Sequence, residues 1–219
     1  MEEADRLIDD YLEAFLEANK SINLTSIDDR EQASLLHVED SLAGLEEVLA
    51  APEGRYGDLG SGGGFPGVPI ALSSGRQTVL VDSVKKKMRV VQGIIEQLGL
   101  QGQIRTYPGR IEELAQQEPA SFAVLTARAL SSLPSLVELA SPLLIKGGLL
   151  VCYKAHISED ELAAACKVAP QVGMSQPRSR SLLLSDGETA RTIVTFAKEG
   201  EPRLQLPRRI GMAQKSPLA

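Results

Sequence analysis

The sequence predicts an α/β fold with a mostly parallel sheet, and two features of the chain support this class. From residue 56 onward, short apolar runs typical of buried strands alternate with stretches whose apolar residues recur at helical spacing. Strands separated by single helices need right-handed crossovers, so these strands are predicted to be parallel. Near the C-terminus, two apolar runs are joined across Asp186-Gly187, which is typical of an antiparallel hairpin.

Five strands are predicted before the hairpin: Tyr56–Leu59, Thr78–Asp82, Gln103–Tyr107, Phe122–Thr126 and Leu149–Lys154. The clearest helix between them has five apolar residues on one face: Val84, Met88, Val91, Ile95 and Leu98. Ser83 before this helix and Gly99 after it are its predicted caps. The run from Ser158 to Glu161 has the spacing of a capping box and predicts one more helix.

The N-terminal part of the chain is predicted to be helical. Its first apolar residues recur at helical spacing opposite an acidic face: Leu7, Ile8, Tyr11, Leu12, Phe15 and Leu16. A second helical pattern extends from about Arg30 to Leu49 and ends before Pro52. We therefore predict a helical extension packed on the core at residues 1–52, an α/β domain at residues 53–200 and a basic tail at residues 201–219.

Charge is distributed unevenly along the chain, although the net charge is only −6. Residues 1–60 hold 16 acidic and 4 basic side chains, whereas residues 61–219 hold 13 acidic and 19 basic ones. An acidic protein can still bind a polyanion through a local basic surface. The composition therefore leaves a nucleic-acid partner open.

Several classes of protein are disfavoured by what the sequence lacks. The two cysteines, Cys152 and Cys166, lie in apolar surroundings, which favours buried thiols in a reducing compartment. There is no cysteine or histidine cluster of the kind that binds a structural metal. The N-terminus lacks a signal-peptide pattern, and no apolar run is long enough for a membrane span. We expect a cytoplasmic protein with no metal and no membrane partner, and no coiled-coil seam requires it to oligomerise.

The segment DLGSGGGFPG (residues 58–67) holds five glycines between a predicted strand and a predicted helix, the context in which a glycine motif indicates a ligand. A P-loop needs a lysine and then Ser or Thr after its last glycine, and valine follows here. The dinucleotide fingerprint needs a small residue where Phe65 stands. What remains is the methyltransferase pattern D-x-G-x-G-x-G for S-adenosylmethionine, which begins at Asp58 and includes Gly60 and Gly62.

The end of the next strand supports the same cofactor. Asp82 lies 22 residues after Gly60, where an acidic side chain can accept the hydroxyl protons of a ribose. The alternative is that Asp82 caps the following helix, and both roles are compatible. Ser83 lies at the same strand end and joins the predicted cofactor-binding residues.

A parallel sheet closed by an antiparallel pair resembles the class I methyltransferase fold. The chain as a whole resembles the bacterial ribosomal RNA small subunit methyltransferase G family, formerly called glucose-inhibited division protein B. Six segments carry the resemblance: HVEDSL (37–42), DLGSGGGFPGVPIAL (58–72), LVDSVKKKMRVV (80–91), GRIEEL (109–114), TARALSSL (126–133) and LPRRIGMAQKSPL (206–218). The order of HxxDS, GFPG and PRRxGxxxKxPL is its most specific part.

The resemblance implies an enzyme that transfers a methyl group from S-adenosylmethionine to N7 of a guanine in the decoding region of 16S rRNA, guanine 527 in the family's usual numbering. Residues 53–200 would be its methyltransferase domain and the small ribosomal subunit its partner. It also implies three sets of cofactor contacts. Gly60 and Phe65 would contact the cofactor from the loop, Ile111 and Glu112 would lie beside the adenine, and Arg128 would close the site after the fourth strand.

The chemistry implied by the resemblance needs orientation rather than proton transfer. N7 of guanine carries a free electron pair and no proton at neutral pH, so no general base is required. His37 and Asp40, three residues apart on one predicted helical face, are candidates for shaping the pocket together with Arg128. The alternative for His37 and Asp40 is an ordinary polar pair.

Five residues are predicted to contact RNA: Asn23, Lys154, Arg208, Arg209 and Lys215. Lys154 is followed by Ala155, where the family usually has glycine. The lysines at 85–87 face either RNA phosphates or solvent, and the sequence leaves both open. Two other functions also remain open: methylation of another RNA or a small molecule, and a noncatalytic role in binding RNA or the ribosome.

Overall fold

Seven strands build the sheet in the computed structural model, which describes residues 2–22 and 24–218. They are β1 (Tyr56–Leu59), β2 (Thr78–Val81), β3 (Ile104–Tyr107), β4 (Phe122–Arg128), β5 (Leu144–Lys154), β6 (Arg178–Leu183) and β7 (Ala190–Ala197). Their order across the sheet is β3-β2-β1-β4-β5-β7-β6. Strands β1 to β5 are parallel to one another, and β7 is antiparallel to both β5 and β6. The predicted α/β class, with a mostly parallel sheet and a C-terminal hairpin, is confirmed.

Helices cover both faces of this sheet. They are α1 (Glu2–Ile22), α2 (Arg30–Ala33), α3 (Asp40–Leu42), α4 (Leu45–Ala50), α5 (Gly67–Ser74), α6 (Lys85–Gln97), α7 (Ile111–Gln117), α8 (Leu133–Ala140), α9 (Glu159–Val168) and α10 (Met212–Lys215). A π-helical segment, Ser34–Glu39, joins α2 to α3, and the 3₁₀ turn Ala169–Val172 follows α9. One apolar core lies between the sheet and α7, α8 and α9, and a second lies between the sheet and α1, α5 and α6.

The strand ends differ from the predicted ones where pairing extends them. Strand β5 begins at Leu144 rather than Leu149, because the chain after β7 continues the ladder: the amide of Gly147 donates to the carbonyl of Lys198 over 2.7 Å. Strand β4 continues past Thr126 to Arg128, which pairs with Tyr153 in β5. These extensions arise from neighbouring strands, which a local sequence pattern does not contain.

Two predicted helix starts are also corrected. Ser83 does not cap α6, because the helix begins at Lys85, its N-cap residue is Val84, and no side chain makes a cap hydrogen bond. Oδ1 of Asp82 accepts the amide of Val84 over 2.8 Å just before the helix. Val84 is 46% exposed and does not belong to the buried face. Ser158 does cap α9, but the Glu161 carboxylate completes no capping box, because it accepts bonds from Lys154 Nζ and the amide of Leu133 instead.

The buried face of α1 packs directly on the glycine loop, residues 58–67. The hydroxyl of Tyr11 donates to the carbonyl of Gly63 over 2.9 Å. A Cβ at Gly63 would collide with the ring of Phe15, and one at Gly64 would collide with the Tyr11 hydroxyl. The absence of side chains at these two positions therefore lets the N-terminal helix approach the loop.

We expect Gly63→Ala to destabilise the protein by about 1–3 kcal/mol, because the added methyl overpacks the fully buried Phe15 ring. Gly93→Ala is the matched control: Gly93 lies inside α6, and a Cβ there meets nothing within 4 Å. Alanine favours a helix interior over glycine, so this variant should gain up to about 1 kcal/mol. Urea unfolding of both variants measures the difference, and equal stability would contradict the packing described for α1.

Candidate active site

The chain reverses its direction across the sheet between β1 and β4. Strands β2 and β3 extend outward from β1 on one side, whereas β4 and β5 extend outward on the other. In open α/β sheets, ligands bind at such a point, outside the carboxyl ends of the strands. The glycine loop follows β1, Asp82 follows β2 and Arg128 ends β4, so the fold brings together groups that were predicted separately.

The glycine loop is held open by backbone contacts to the end of β2. The amides of Gly60 and Ser61 donate to the carbonyl of Val81 over 2.8 and 3.0 Å, and the amide of Gly62 donates to Oδ2 of Asp82 over 2.9 Å. Gly62 has a φ of 56°, and a Cβ there would meet no atom closer than 4.0 Å. The free side of Gly62 is therefore bare backbone that a ligand can approach.

The Asp82 carboxylate makes hydrogen bonds within the protein and also lies at the strand end where a ligand is expected. Its two carboxylate oxygens accept the amides of Gly62 and Val84, which ties the loop to the start of α6. Each carboxylate oxygen has a second lone pair, so the half-buried group keeps capacity for a ribose hydroxyl. Asp82 makes no cap hydrogen bond to α6, and its contact with a ribose stays a prediction.

Asp58 lies behind the loop rather than on its ligand side. Its side chain is fully buried, with Oδ2 accepting the amide of Gly67 over 3.0 Å and Oδ1 accepting the hydroxyl of Thr126 over 2.7 Å. Burial raises the pKa of this carboxyl to about 7. The structure therefore corrects the expected direct contact: Asp58 joins β1, β4 and the start of α5.

Phe65 is likewise turned away from the strand ends. Its ring is 6% exposed, stacks on His37 at a centroid distance of 4.9 Å and meets the edges of Tyr11 and Phe15. The ring is occupied by this aromatic cluster, so a cofactor contact at Phe65 is left to its backbone.

A small cavity of about 60 Å³ lies beside the loop at the ends of β2 and β3. Five residues predicted to bind the cofactor line it: Gly60, Asp82, Ser83, Ile111 and Glu112. Gln214 of the C-terminal tail lines it as well. We call this space the adenosine cavity, after the part of the cofactor that the resemblance places beside Ile111 and Glu112.

A larger cavity of about 470 Å³ lies at the ends of β4 and β5. Its walls come from four distant parts of the chain and include His37, Asp40, Arg128, Tyr153, Lys154 and Arg191. Its volume is within the range of about 300–1,000 Å³ usual for small-molecule sites. We call it the acceptor cavity.

The acceptor cavity is organised by one carboxylate between two arginines. Asp40, whose side chain is 4% exposed, accepts Nη1 of Arg128 and Nε of Arg191, each over 2.8 Å. Arg128 also donates to the carbonyl of Leu36 over 3.1 Å. The three side chains together carry one net positive charge, which favours an anionic or electron-rich ligand.

His37 lines the same cavity without a hydrogen bond of its own. Neither ring nitrogen has a partner among the described residues, although both are buried. The pKa of His37 is lowered to about 4, mainly by burial. The charge of Arg128 also lowers this pKa, by more than the charge of Asp40 raises it. At neutral pH the ring therefore offers one donor and one acceptor and no charge. His37 makes no hydrogen bond to Asp40, so the two side chains do not form the polar pair considered as the alternative.

The residues predicted to contact RNA differ in their exposure and in whether they form ion pairs within the protein. Lys154 is 15% exposed and bonds to Glu161 over 2.6 Å, and Arg208 forms a bidentate ion pair with the buried Glu138. Arg209 and Lys215 are exposed, and neither forms an ion pair with another described residue. Asn23 lies outside the described residues. Contact of the four described residues with RNA stays a prediction.

Arg191 is the site residue that sequence reasoning missed. It opens β7 just after the hairpin, and nothing in the run ETARTIV distinguishes it from an exposed strand residue. Its partner Asp40 lies 151 positions away along the chain. Only the pairing of β7 with β5 brings Arg191 to the end of the sheet where Arg128 lies.

Neither a metal-binding cluster nor a helix suited to crossing a membrane is present within residues 2–22 and 24–218. They contain no group of three or more histidine, cysteine or acidic side chains arranged to hold a metal ion. Nor does any helix within these ranges combine the length and apolar character that crossing a membrane requires.

Comparison with known proteins gives a consistent family. A family model described as rRNA small subunit methyltransferase G matches residues 4–182. Proteins named ribosomal RNA small subunit methyltransferase G include one from Streptococcus thermophilus, 34% identical over 95% of this chain and 89% of its own length. Another from Deinococcus radiodurans is 36% identical over 91% of this chain and 80% of its own.

Solved structures share the fold at low identity. An O-methyltransferase from Bacillus cereus, in complex with SAH, superposes with a TM-score of 0.59 at 18% identity over 86% of this chain and 90% of that one. The tRNA (m1A58) methyltransferase TrmI from Aquifex aeolicus gives a TM-score of 0.56 at 12% identity, covering 74% of this chain and 69% of that one. These likenesses support the methyltransferase-type sheet.

We expect Asp58→Asn to change how stability depends on pH. The folded pKa near 7 lies above the unfolded value near 4, so the folded state keeps a proton that the unfolded state releases. This contribution is full below about pH 4 and is lost as the pH rises towards 7. The wild-type free energy of unfolding, relative to that of the non-titrating variant, should therefore fall by a few kcal/mol between pH 4 and 7.

Urea unfolding of both proteins across this pH range measures that difference. The amide of Asn can still accept from Gly67 and donate to Thr126, so the variant is expected to fold. A difference that stays constant with pH would show that Asp58 is ionised throughout in the folded protein.

Proposed function

The chain belongs to the rRNA small subunit methyltransferase G family, and we propose that its two cavities receive the two reactants of that family's reaction. The protein is an S-adenosylmethionine-dependent enzyme that methylates N7 of a guanine in 16S rRNA. The observation that carries the proposal is the position of the two cavities on either side of the reversal point of the sheet. The adenosine cavity lies at the ends of β2 and β3 beside the glycine loop, and the acceptor cavity lies at the ends of β4 and β5. Since rRNA is made in the cytoplasm, we also propose a cytoplasmic location.

The loop side of the site fits S-adenosylmethionine. Gly62 offers bare backbone, Asp82 has lone pairs for ribose hydroxyls, and Ile111 and Glu112 line the space beyond it. We propose that these residues and Gly60 hold the adenosine part of the cofactor. When bound, S-adenosylmethionine supplies a methyl group on a sulfonium, which a lone pair can take directly.

The acceptor cavity fits a guanine nucleotide. Arg128 and Arg191 share one carboxylate, so their remaining N–H groups can bind a phosphate or a carbonyl oxygen of the base. Neutral His37 offers one donor and one acceptor, and Leu36 and Leu136 add apolar surface for a base plane. We propose that the target guanine leaves its stack and enters this cavity.

The role of these residues in the reaction is orientation. The attacking nitrogen already has its electron pair, so no side chain has to remove a proton, and none in the acceptor cavity is assigned that step. Holding the acceptor nitrogen in line at near-attack distance is the contribution that rigid Arg128, Asp40 and Arg191 make.

The function is tested by supplying radiolabelled S-adenosylmethionine and small ribosomal subunits from bacteria that lack this gene. We expect one labelled guanine in 16S rRNA, methylated at N7. Subunits from the parent strain serve as the control, since their target is already methylated. Label on another RNA would favour a different substrate, and binding to subunits without transfer would favour a noncatalytic protein.

His37→Phe tests the acceptor cavity. Phenylalanine keeps the stack on Phe65 and removes two buried nitrogens that lack partners, so stability should stay equal or rise by about 1 kcal/mol. We expect kcat/KM for subunits to fall about tenfold, because the ligand loses a hydrogen-bonding partner worth about 1.4 kcal/mol. His37→Asn, which keeps a donor and an acceptor, should retain more activity. Full activity of the phenylalanine variant would reduce His37 to a packing residue.

A further inference from the structure

The C-terminal tail is folded against the methyltransferase domain. Ala213 is 3% exposed and belongs to the apolar core beside α8, and Leu204, Leu206 and Leu218 pack on the same core. The segment Pro207–Lys215, which we call the tail strap, thus has an inner apolar side in addition to its basic residues. Its specific sequence, PRRIGMAQK, is not explained by RNA contacts alone.

Two buried carboxylates hold the tail strap. Glu138 in α8 is 2% exposed and accepts Nε and Nη2 of Arg208, each over 2.6 Å, and Arg208 Nη2 also donates to the carbonyl of Ser216 over 2.8 Å. Glu112 in α7 is 6% exposed and accepts the amide of Gly211 over 2.6 Å. The guanidinium fork of Arg208 is thereby committed to Glu138 and to the strap.

The tail strap also forms one wall of the adenosine cavity. Gln214 lines this cavity together with Asp82 and Glu112, and the Glu112 side chain contacts the strap at Gly211. Leu139, the residue after Glu138, lines the cavity too. The position of the strap therefore sets the shape of the space assigned to the cofactor.

The cavity in this conformation is much smaller than its ligand requires. It measures about 60 Å³, whereas sites for molecules of cofactor size have about 300–1,000 Å³. The strap lies outside the sheet and is held by its contacts to Glu138 and Glu112 and by apolar packing beside α8, whereas the opposite walls include a strand end and the glycine loop. Displacement of the strap would therefore enlarge the cavity without moving a strand of the sheet.

We propose that the tail strap is the movable wall of the cofactor site and that Arg208 is a positioning residue for cofactor binding. The strap moves away to admit S-adenosylmethionine and closes over its adenosine part, with Arg208 and Glu138 as the anchor about which it moves. This inference rests on the assignment of the adenosine cavity under the proposed function. It gives Arg208 a role distinct from that of its exposed neighbour Arg209.

Arg208→Ala and Arg209→Ala provide a matched pair, because they remove the same charge from adjacent positions. We expect Arg208→Ala to raise the dissociation constant for SAH about tenfold in calorimetry, because the strap loses its bidentate ion pair with Glu138. KM for S-adenosylmethionine should rise with it. Arg209→Ala should bind SAH like the wild type, and its binding to subunits should weaken and depend less on salt.

Hydrogen exchange at the Gly211 amide gives a second measurement in the unmodified protein. If the strap closes over the cofactor, SAH should slow exchange of this amide, which donates to Glu112. If Arg208→Ala fails to fold, this measurement still tests whether the strap closes over the cofactor. Arg208→Lys is a second variant for the same purpose, because it keeps the charge but loses the bidentate pair. It should show a smaller rise in the dissociation constant for SAH.

Unchanged SAH affinity in Arg208→Ala, or exchange at Gly211 that SAH does not alter, would overturn the proposal. Equal loss of SAH affinity in Arg208→Ala and Arg209→Ala would also overturn it, since the effect would then be one of charge alone. Failure of the wild-type protein to bind SAH would instead count against the proposed function, so the two failures are distinguishable.

Discussion

The edge of the sheet at which the candidate active site lies is held together by the ion pairs of Asp40. This one buried carboxylate binds Arg128 at the end of β4 and Arg191 at the start of β7, while the residue itself belongs to the N-terminal helices. Breaking a buried pair by removing one partner costs about 3–5 kcal/mol, because the other charge stays buried and unpaired. Three segments far apart in the chain are therefore held to one another at the place where the acceptor cavity opens. The N-terminal helices are a wall of the site as well as an extension beside the sheet.

The glycines of the loop meet two structural requirements, open space for a ligand and close packing of the N-terminal helix. The sequence pointed to a ligand, and Gly62, whose free side is open, fits that explanation. Gly63 and Gly64 answer a different demand, because they admit Phe15 and the Tyr11 hydroxyl of α1. Bare backbone on one side of the loop is open to a ligand, and bare backbone on the other side contacts the N-terminal helix.

The parts of the site that sequence reasoning could find were those with local signals. The first five strands follow from apolar runs, and Asp82 follows from its position at a strand end. Burial of Asp58 and Phe65 could not be read in the same way, because it depends on what packs behind the loop: Thr126 for the first and the aromatic residues of α1 for the second. Arg191 has no local signal at all, since the pairing of β7 with β5 alone brings it to Asp40.

The π-helical segment explains why His37 and Asp40 have separate roles despite their spacing. In a regular α-helix, residues three apart share a face, which is why their spacing suggested a shared role in shaping the pocket or a polar pair. The segment Ser34–Glu39 instead has the wider turn of a π-helix, in which bonds run from residue i to i+5. His37 stacks on Phe65, while Asp40 lies against the two arginines. The local widening thus separates a neutral hydrogen-bonding ring from the charged Asp40. The imidazole stays unprotonated beside this carboxylate because burial lowers its pKa, and the positive charge of Arg128 lowers the pKa more than Asp40 raises it.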